Sequence, residues 1–180
     1  MTMLAAVEVT PIRGNTADAD TALEQLYAAH YAGLVRLAVL LLRDQGLAED
    51  VVQDSFVAVH QRWDRVDPAK APAYLRQTVV NRSRSALRHR GVAERHRPDP
   101  MPHGVPADHG VLQAERRTAV LDALAALPTR QREVIVLRHY LDLSEADIAA
   151  TLGISRGAVK SHASRAAAAL RTHLSLEEDS

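Results

Sequence analysis

Ser144 to Arg165 reads SEADIAATLGISRGAVKSHASR, and this stretch decides the fold. Ser144 followed by Glu145 and Asp147 sets a hydroxyl cap and acidic residues where a helix begins, complementing its dipole. Leu152 then meets Gly153, which can take the left-handed conformation that closes a helix, and Ser155 caps a second one. Helix, tight turn, helix is the result. Ile148, Leu152, Ile154 and Val159 supply the apolar contact between the two helices, and small Ala149 permits a close crossing.

The second helix has two distinct sides at about 100° per residue. Val159, Ala163, Ala166 and Leu170 fall on one, while Arg156, Lys160, Ser164 and Arg171 fall on another with Gly157 and Ser161 alongside. The outer side is basic and slender. Small residues between long cations let a helix sit deep in a major groove, where Arg, Lys and Ser reach base edges and phosphates. Arg165 lies on the flank, where a phosphate contact fits better than base reading. An ordinary helical hairpin in a bundle would more often mix charge signs on this side.

Helices are expected before this unit at about Val111 to Ala126 and Thr129 to Leu141, and its second helix should run to Leu174. Further upstream, Gly91 to Gly110 holds Pro98, Pro100, Pro102 and Pro106 with no apolar period, and it reads as a mobile linker. Beyond it, Leu23, Leu26, Tyr27, Tyr31, Leu34, Val35, Ala38 and Leu41 recur at steps of three and four, as an amphipathic helix requires. Helices follow at about Leu47 to Trp63 and Pro72 to Arg90, parted by the turn-forming Asp67-Pro68. The expected fold is therefore all-α. Two small helical domains, a three-helix unit over 21–90 and a helix-turn-helix unit over 111–174, should fold independently between an N-terminal tail (1–20) and an acidic tail (175–180).

Composition agrees. In 180 residues, 47% hydrophobic content is too high for a disordered chain, and 3% aromatic content suits helices packed through aliphatic stripes. The absence of cysteine excludes disulfides, thiolate zinc sites and cysteine nucleophiles, and fits a reducing cytosol. Met1 to Thr10 lacks a basic head, and the longest apolar run, Leu37 to Leu42, falls far short of the roughly 20 residues that span a bilayer. A cytoplasmic protein without membrane insertion is expected. The zero net charge hides segregation: Lys70 to Arg97 holds eight basic residues against Glu94 alone. With Arg156, Lys160, Arg165 and Arg171 this makes two basic surfaces, hence two polyanion contacts.

The N-terminal domain carries two polar stripes. Gln77, Asn81, Arg84 and Arg88 share one face with Tyr74 beside it, opposite Leu75, Val79, Ala86 and Leu87. Amides and an aromatic among cations suit unpaired bases, although a solvated face has the same spacing. On the preceding helix, Asp50, Gln53, Asp54, Val57 and Gln61 project together, opposite Val51, Val52, Phe56 and Val59. This stripe fits either plain solvent exposure or a protein docking site.

Ala48-Glu49-Asp50-Val51-Val52-Gln53-Asp54-Ser55-Phe56, Ala73-Tyr74-Leu75, Asn81-Arg82, Leu127-Pro128 and Gln131-Arg132-Glu133-Val134 precede the helix-turn-helix in order. Together they resemble extracytoplasmic-function sigma factors of the sigma-70 family across about Leu23 to Leu174, and the Ala-, Arg- and Val-rich composition resembles the actinobacterial sigma-E-like group. The resemblance implies that region 2 docks Asp50, Gln53, Asp54, Val57 and Gln61 on the clamp helices of the largest subunit of core RNA polymerase. It implies that Tyr74, Gln77, Asn81, Arg82, Arg84 and Arg88 read and melt the -10 element, capturing an extruded base of the non-template strand. Region 4 would read the double-stranded -35 element through Ser155, Arg156, Gly157, Lys160, Ser161, Ser164 and Arg165. The linker would run toward the RNA exit path, and an anti-sigma factor is a further partner. Ser85 departs from the pattern, which commonly has Asp there.

A helix-turn-helix regulator acting without polymerase is the alternative, yet a receiver-type N-terminal half would alternate strand and helix around an acidic pocket. An enzyme is the second alternative. His30, His60 and His89 lie on three different helices without metal-ligand spacing, and no nucleotide-binding glycine loop is present. No catalytic residue, cofactor or metal is expected.

Overall fold

The computed structural model describes residues 16–94 and 111–178. Residues 1–15, 95–110 and the last two lie outside the described residues, and with them most of the expected tail (1–20) and mobile linker (91–110), whereas 16–20, 91–94 and 175–178 belong to helices instead of forming tail or linker. Seven α-helices are found among the described residues: α1 (Thr16–Leu42), α2 (Gln45–His60), α3 (Ala71–Glu94), α4 (Val111–Ala126), α5 (Thr129–His139), α6 (Glu145–Leu152) and α7 (Arg156–Glu178). Each helix expected from the sequence is present, with ends shifted by a few residues.

Local chemistry sets the boundaries. Asp44 caps α2 by accepting from the Leu47 backbone N–H at 3.0 Å. Two single 3₁₀ turns, Trp63–Arg65 and Pro68–Lys70, carry the chain into α3, and Asp67 caps the second by accepting from Ala69 N–H at 3.0 Å. Ser144 accepts from Asp147 N–H at 3.1 Å to start α6, and Gly153 ends it at φ 65°. Ser155 accepts from Ala158 N–H at 3.1 Å to start α7. The caps of the helix-turn-helix are those expected.

The C-terminal half of α1 is the central element. Leu34, Val35, Leu37, Ala38, Val39, Leu41 and Leu42 are all buried, covering most of the circumference rather than one stripe. By length and composition Ala19 to Leu42 could cross a membrane, but its apolar side chains belong to the core cluster. Burying one such leucine stabilises the fold by roughly 1.5–3 kcal/mol, so this half-helix anchors the whole bundle. It meets α2 and α3 of its own domain and also α4 and α5 of the other.

The two domains thus pack on each other, and their buried side chains form one continuous apolar cluster. On α3, Leu75 and Val79 are buried as the periodicity indicates, and so are Val80 and Ser83. Arg76, Val80 and Arg84, four residues apart, form the stripe of α3 turned toward the second domain: Arg84 reaches Glu133 on α5, and Arg76 feels the charge of Asp147 on α6. Burial weakens the protonation of Arg76 and Asp147 opposes that effect.

Candidate nucleic-acid interfaces

α3 and the end of α2 enclose an open cleft of about 550 Å³ lined by Ala58, Gln61, Arg62, Tyr74, Gln77, Thr78, Asn81, Arg82 and Ser85. Four residues of the stripe assigned to the -10 element, Tyr74, Gln77, Asn81 and Arg82, therefore converge on one space. Helical spacing brings them there: Tyr74, Gln77, Asn81 and Ser85 step by three and four along α3. Amide, phenol and guanidinium groups around a cavity open to solvent can hydrogen-bond the edge of an unstacked base and hold its backbone.

Arg62 and Thr78 also line this cleft, and spacing on α3 alone did not single them out. Arg62 Nη1 donates to Tyr74 Oη at 3.2 Å, fixing the ring at the cleft wall. The signal available in sequence was the cation directly after Gln61, at the end of the acidic stripe. Ser85 accepts from Arg88 Nη2 at 3.0 Å, so the hydroxyl that stands where the family pattern has Asp orients a neighbouring cation through a neutral bond.

Arg84 departs from the stripe. Its Nε and Nη2 donate to Glu133 Oε1 and Oε2 at 2.8 and 3.0 Å, a bidentate pair with the second domain, while its Nη1 donates to Asn81 Oδ1 at 3.3 Å. The Glu133 side chain is 2% exposed and also accepts from Arg130 Nη1 at 3.1 Å.

Asp50, Gln53, Asp54 and Val57 on α2, and Gln61 at its C-cap, are all exposed, with Val57 at 55%. An exposed valine ringed by acids and amides has the make-up of a protein contact with a small apolar centre and a polar rim. Asp54 Oδ2 lies 3.4 Å from Arg82 Nη1, which joins this face to the cleft.

On the helix-turn-helix, Ser155, Arg156, Gly157, Lys160, Ser161, Ser164 and Arg165 are exposed, while Val159, Ala163 and Ala166 are buried. α7 turns its slender basic side to solvent. Lys160 Nζ sits 3.8 Å from Glu145, which Arg138 also approaches at 3.5 Å, so an α6 carboxylate orients the lysine. Among the described residues no three His, Asp or Glu side chains gather as a metal site would require.

Comparison with known proteins agrees with this geometry. Residues 26–92 match sigma-70 region 2, and residues 117–170 match sigma-70 region 4. The RNA polymerase sigma-E factor of Streptomyces avermitilis is 35% identical over 152 residues, 84% of this chain and 84% of that protein. The ECF RNA polymerase sigma factor SigM of Mycobacterium tuberculosis is 34% identical over 154 residues, 83% of this chain and 75% of that one. The sigma factor RpoE of Bartonella quintana, solved in complex with the anti-sigma factor NepR, superimposes with a TM-score of 0.69 at 28% identity over 88% of this chain and 97% of that one.

Proposed function

Because this chain belongs to the sigma-70 family as an extracytoplasmic-function sigma factor, which directs promoter-specific initiation by RNA polymerase, we propose that three of its surfaces divide that work. The α2 face of Asp50, Gln53, Asp54, Val57 and Gln61 docks on the clamp helices of core polymerase. The α3 cleft, lined by Tyr74, Gln77, Asn81 and Arg82, takes the single-stranded -10 element, with Arg84 and Arg88 further along the same helix. The α7 face of Ser155, Arg156, Gly157, Lys160, Ser161, Ser164 and Arg165 reads the -35 duplex. The first two tasks fall to residues 21–90 and the third to 111–174.

The observation that carries this reading is the convergence of Tyr74, Gln77, Asn81 and Arg82 on one cleft beside the acidic α2 face. A groove for duplex backbone alone needs only cations, whereas phenol and amide groups around an open cleft suit an unpaired nucleotide. The chain binds and positions, and phosphodiester chemistry belongs to the polymerase. Such a factor works in the cytoplasm, where the polymerase is. The Bartonella relative is bound to an anti-sigma factor, and an anti-sigma factor is proposed as a partner of this chain too.

In vitro transcription with purified core polymerase and a promoter library tests the whole reading. Initiation from a subset of promoters sharing -10 and -35 motifs is expected. Core polymerase that initiates no better with the protein than without it would remove the proposal.

A further inference from the structure

Three helices each bring one charge to the edge of the α7 face. Glu145 opens α6 with its side chain 22% exposed; Oε1 lies 3.5 Å from Arg138 Nη2 on α5, and Oε2 lies 3.8 Å from Lys160 Nζ on α7. Both carboxylate oxygens therefore face cations. Lys160 is 68% exposed, and its contact is an ion pair too long for a hydrogen bond, so the three ammonium donors remain available to DNA. Its aliphatic stem borders an open depression of about 320 Å³ shared with Ile135, Ala163 and Ala167, and such apolar neighbours restrict the stem further. Arg156 and Arg165, on the same exposed face, have no carboxylate partner among the described residues. The tether is particular to Lys160.

We infer that Glu145 is a positioning residue that sets sequence discrimination: it holds Lys160 for a base edge of the -35 duplex and withholds it from phosphates. The inference rests on the assignment of α7 to that duplex. A carboxylate beside a DNA-binding face repels phosphates and offsets a neighbouring cation, so it lowers sequence-independent affinity. A lysine on a flexible four-carbon stem otherwise takes the nearest anion, and on duplex DNA that anion is a phosphate, which carries no sequence information. Tethered to a carboxylate, the ammonium sweeps a narrower arc and discriminates among the base edges inside it. Arg138 supports the arrangement from the other side, since its hold on Oε1 fixes the carboxylate that Lys160 follows. A carboxylate reading bases directly would accept from a cytosine amino group; here both oxygens are turned to cations instead.

Full-length wild type, Glu145→Gln, Lys160→Gln and the double variant, each assembled with core polymerase, select from a promoter pool randomised through the -35 region, and the recovered DNA is sequenced. The free proteins are titrated with a random-sequence duplex at several salt concentrations. Lys160→Gln should lose base preference at one or two positions. Glu145→Gln should weaken preference several-fold at those same positions, and should bind the random duplex more tightly, with a salt slope steeper by about one, the value for one added phosphate contact. The double variant should match Lys160→Gln alone. Glu145→Asp keeps the charge at the start of α6 on a shorter stem, so it should lose the preference with the salt slope unchanged, and it decides if circular dichroism shows that Glu145→Gln loses helicity. Full preference in Glu145→Gln, or a loss at positions that Lys160→Gln leaves intact, overturns the proposal. A further loss in the double variant overturns it too, because Glu145 would then read a base itself. Random-duplex binding by Glu145→Gln no tighter than that of the wild type overturns the withholding from phosphates. Absence of any enriched -35 motif with the wild type removes the assignment of α7, and the inference with it.

Discussion

Arg82 Nη1 lies 3.4 Å from Asp54 Oδ2, so the acidic face of α2 is tied to the wall of the α3 cleft. Both groups are exposed, and a pair of this kind contributes about 0–1 kcal/mol to stability. Its effect is positional: Asp54 holds Arg82 at the rim of the cleft, whereas Asp50 lies a helical turn earlier on the docking face. Asp50→Lys should weaken core binding and leave opening normal once core is saturated. Asp54→Lys should weaken core binding and also impair opening at saturating core, with helicity retained in both. Anisotropy titration with core polymerase and permanganate reactivity of the -10 region measure the two effects. Identical behaviour of the two variants in both assays would show that the contact between Asp54 and Arg82 has no role in opening.

Arg132 supports a second prediction. Its guanidinium donates to the carbonyls of Leu41, Leu124, Ala125 and Leu127, satisfying the C-terminal ends of α1 and α4 together. Burial weakens its protonation and the neighbouring Glu133 opposes this, but an arginine stays charged throughout the accessible pH range. Arg132→Met keeps apolar bulk and leaves these carbonyls without their donor. Urea unfolding should show a loss on the order of 3 kcal/mol, the scale for charged hydrogen bonds to buried acceptors. A loss below about 0.5 kcal/mol, the range of ordinary surface substitutions, would mean that water replaces the guanidinium there.

The glycines of the helix-turn-helix separate fold from recognition. Gly153 has φ 65°, and a Cβ added there would meet nothing within 4 Å, so Gly153→Ala should cost about 1 kcal/mol from backbone conformation alone. Gly157 lies within α7, and an added Cβ would meet only Ser155 Oγ at 3.9 Å, an ordinary contact. Gly157→Ala should therefore leave stability unchanged or raise it by up to about 1 kcal/mol, while a methyl on the groove-facing side weakens -35 binding. Thermal unfolding and transcription from promoters with intact or scrambled -35 elements test this. Full -35-dependent activity in Gly157→Ala would take Gly157 off the DNA face.

What was legible in the sequence was what neighbours decide. Ser144, Gly153 and Ser155 mark helix ends through groups one to four residues away, and the buried faces of α2 and α7 follow from a 3.6-residue period. Tyr74, Gln77 and Asn81 share a face for the same reason. Val80 and Ser83 were not legible as buried, because they lie on the side of α3 turned toward the other domain, which local periodicity cannot register. The pairing of Arg84 with Glu133 and of Arg132 with the Leu41 carbonyl was not legible, because these partners lie 49 and 91 residues away. Arginine partners are the hardest to read from sequence, because one guanidinium serves phosphate, carboxylate and carbonyl equally well.

The two DNA faces should fail in different ways. Arg156 and Lys160 stand exposed on α7, with Lys160 oriented by Glu145, whereas Asn81 and Arg82 line the cleft that suits an extruded base. Each basic face alone should hold DNA weakly and salt-sensitively, and strong site-specific binding should need polymerase to fix their separation. Arg156→Ala should then impair or alter -35 preference by about 1–3 kcal/mol at the base it contacts, without affecting strand separation once the complex has formed. Asn81→Ala and Arg82→Ala should form the closed complex and stall before melting. A premelted -10 bubble supplies the unstacking that these variants cannot, so it should restore transcription to them and leave the Arg156→Ala defect in place. Equal rescue of all three would mean that α3 does not act in opening. Nanomolar binding of the purified protein to a duplex operator, with nothing added by core polymerase, would instead mark a regulator that works without becoming a polymerase subunit.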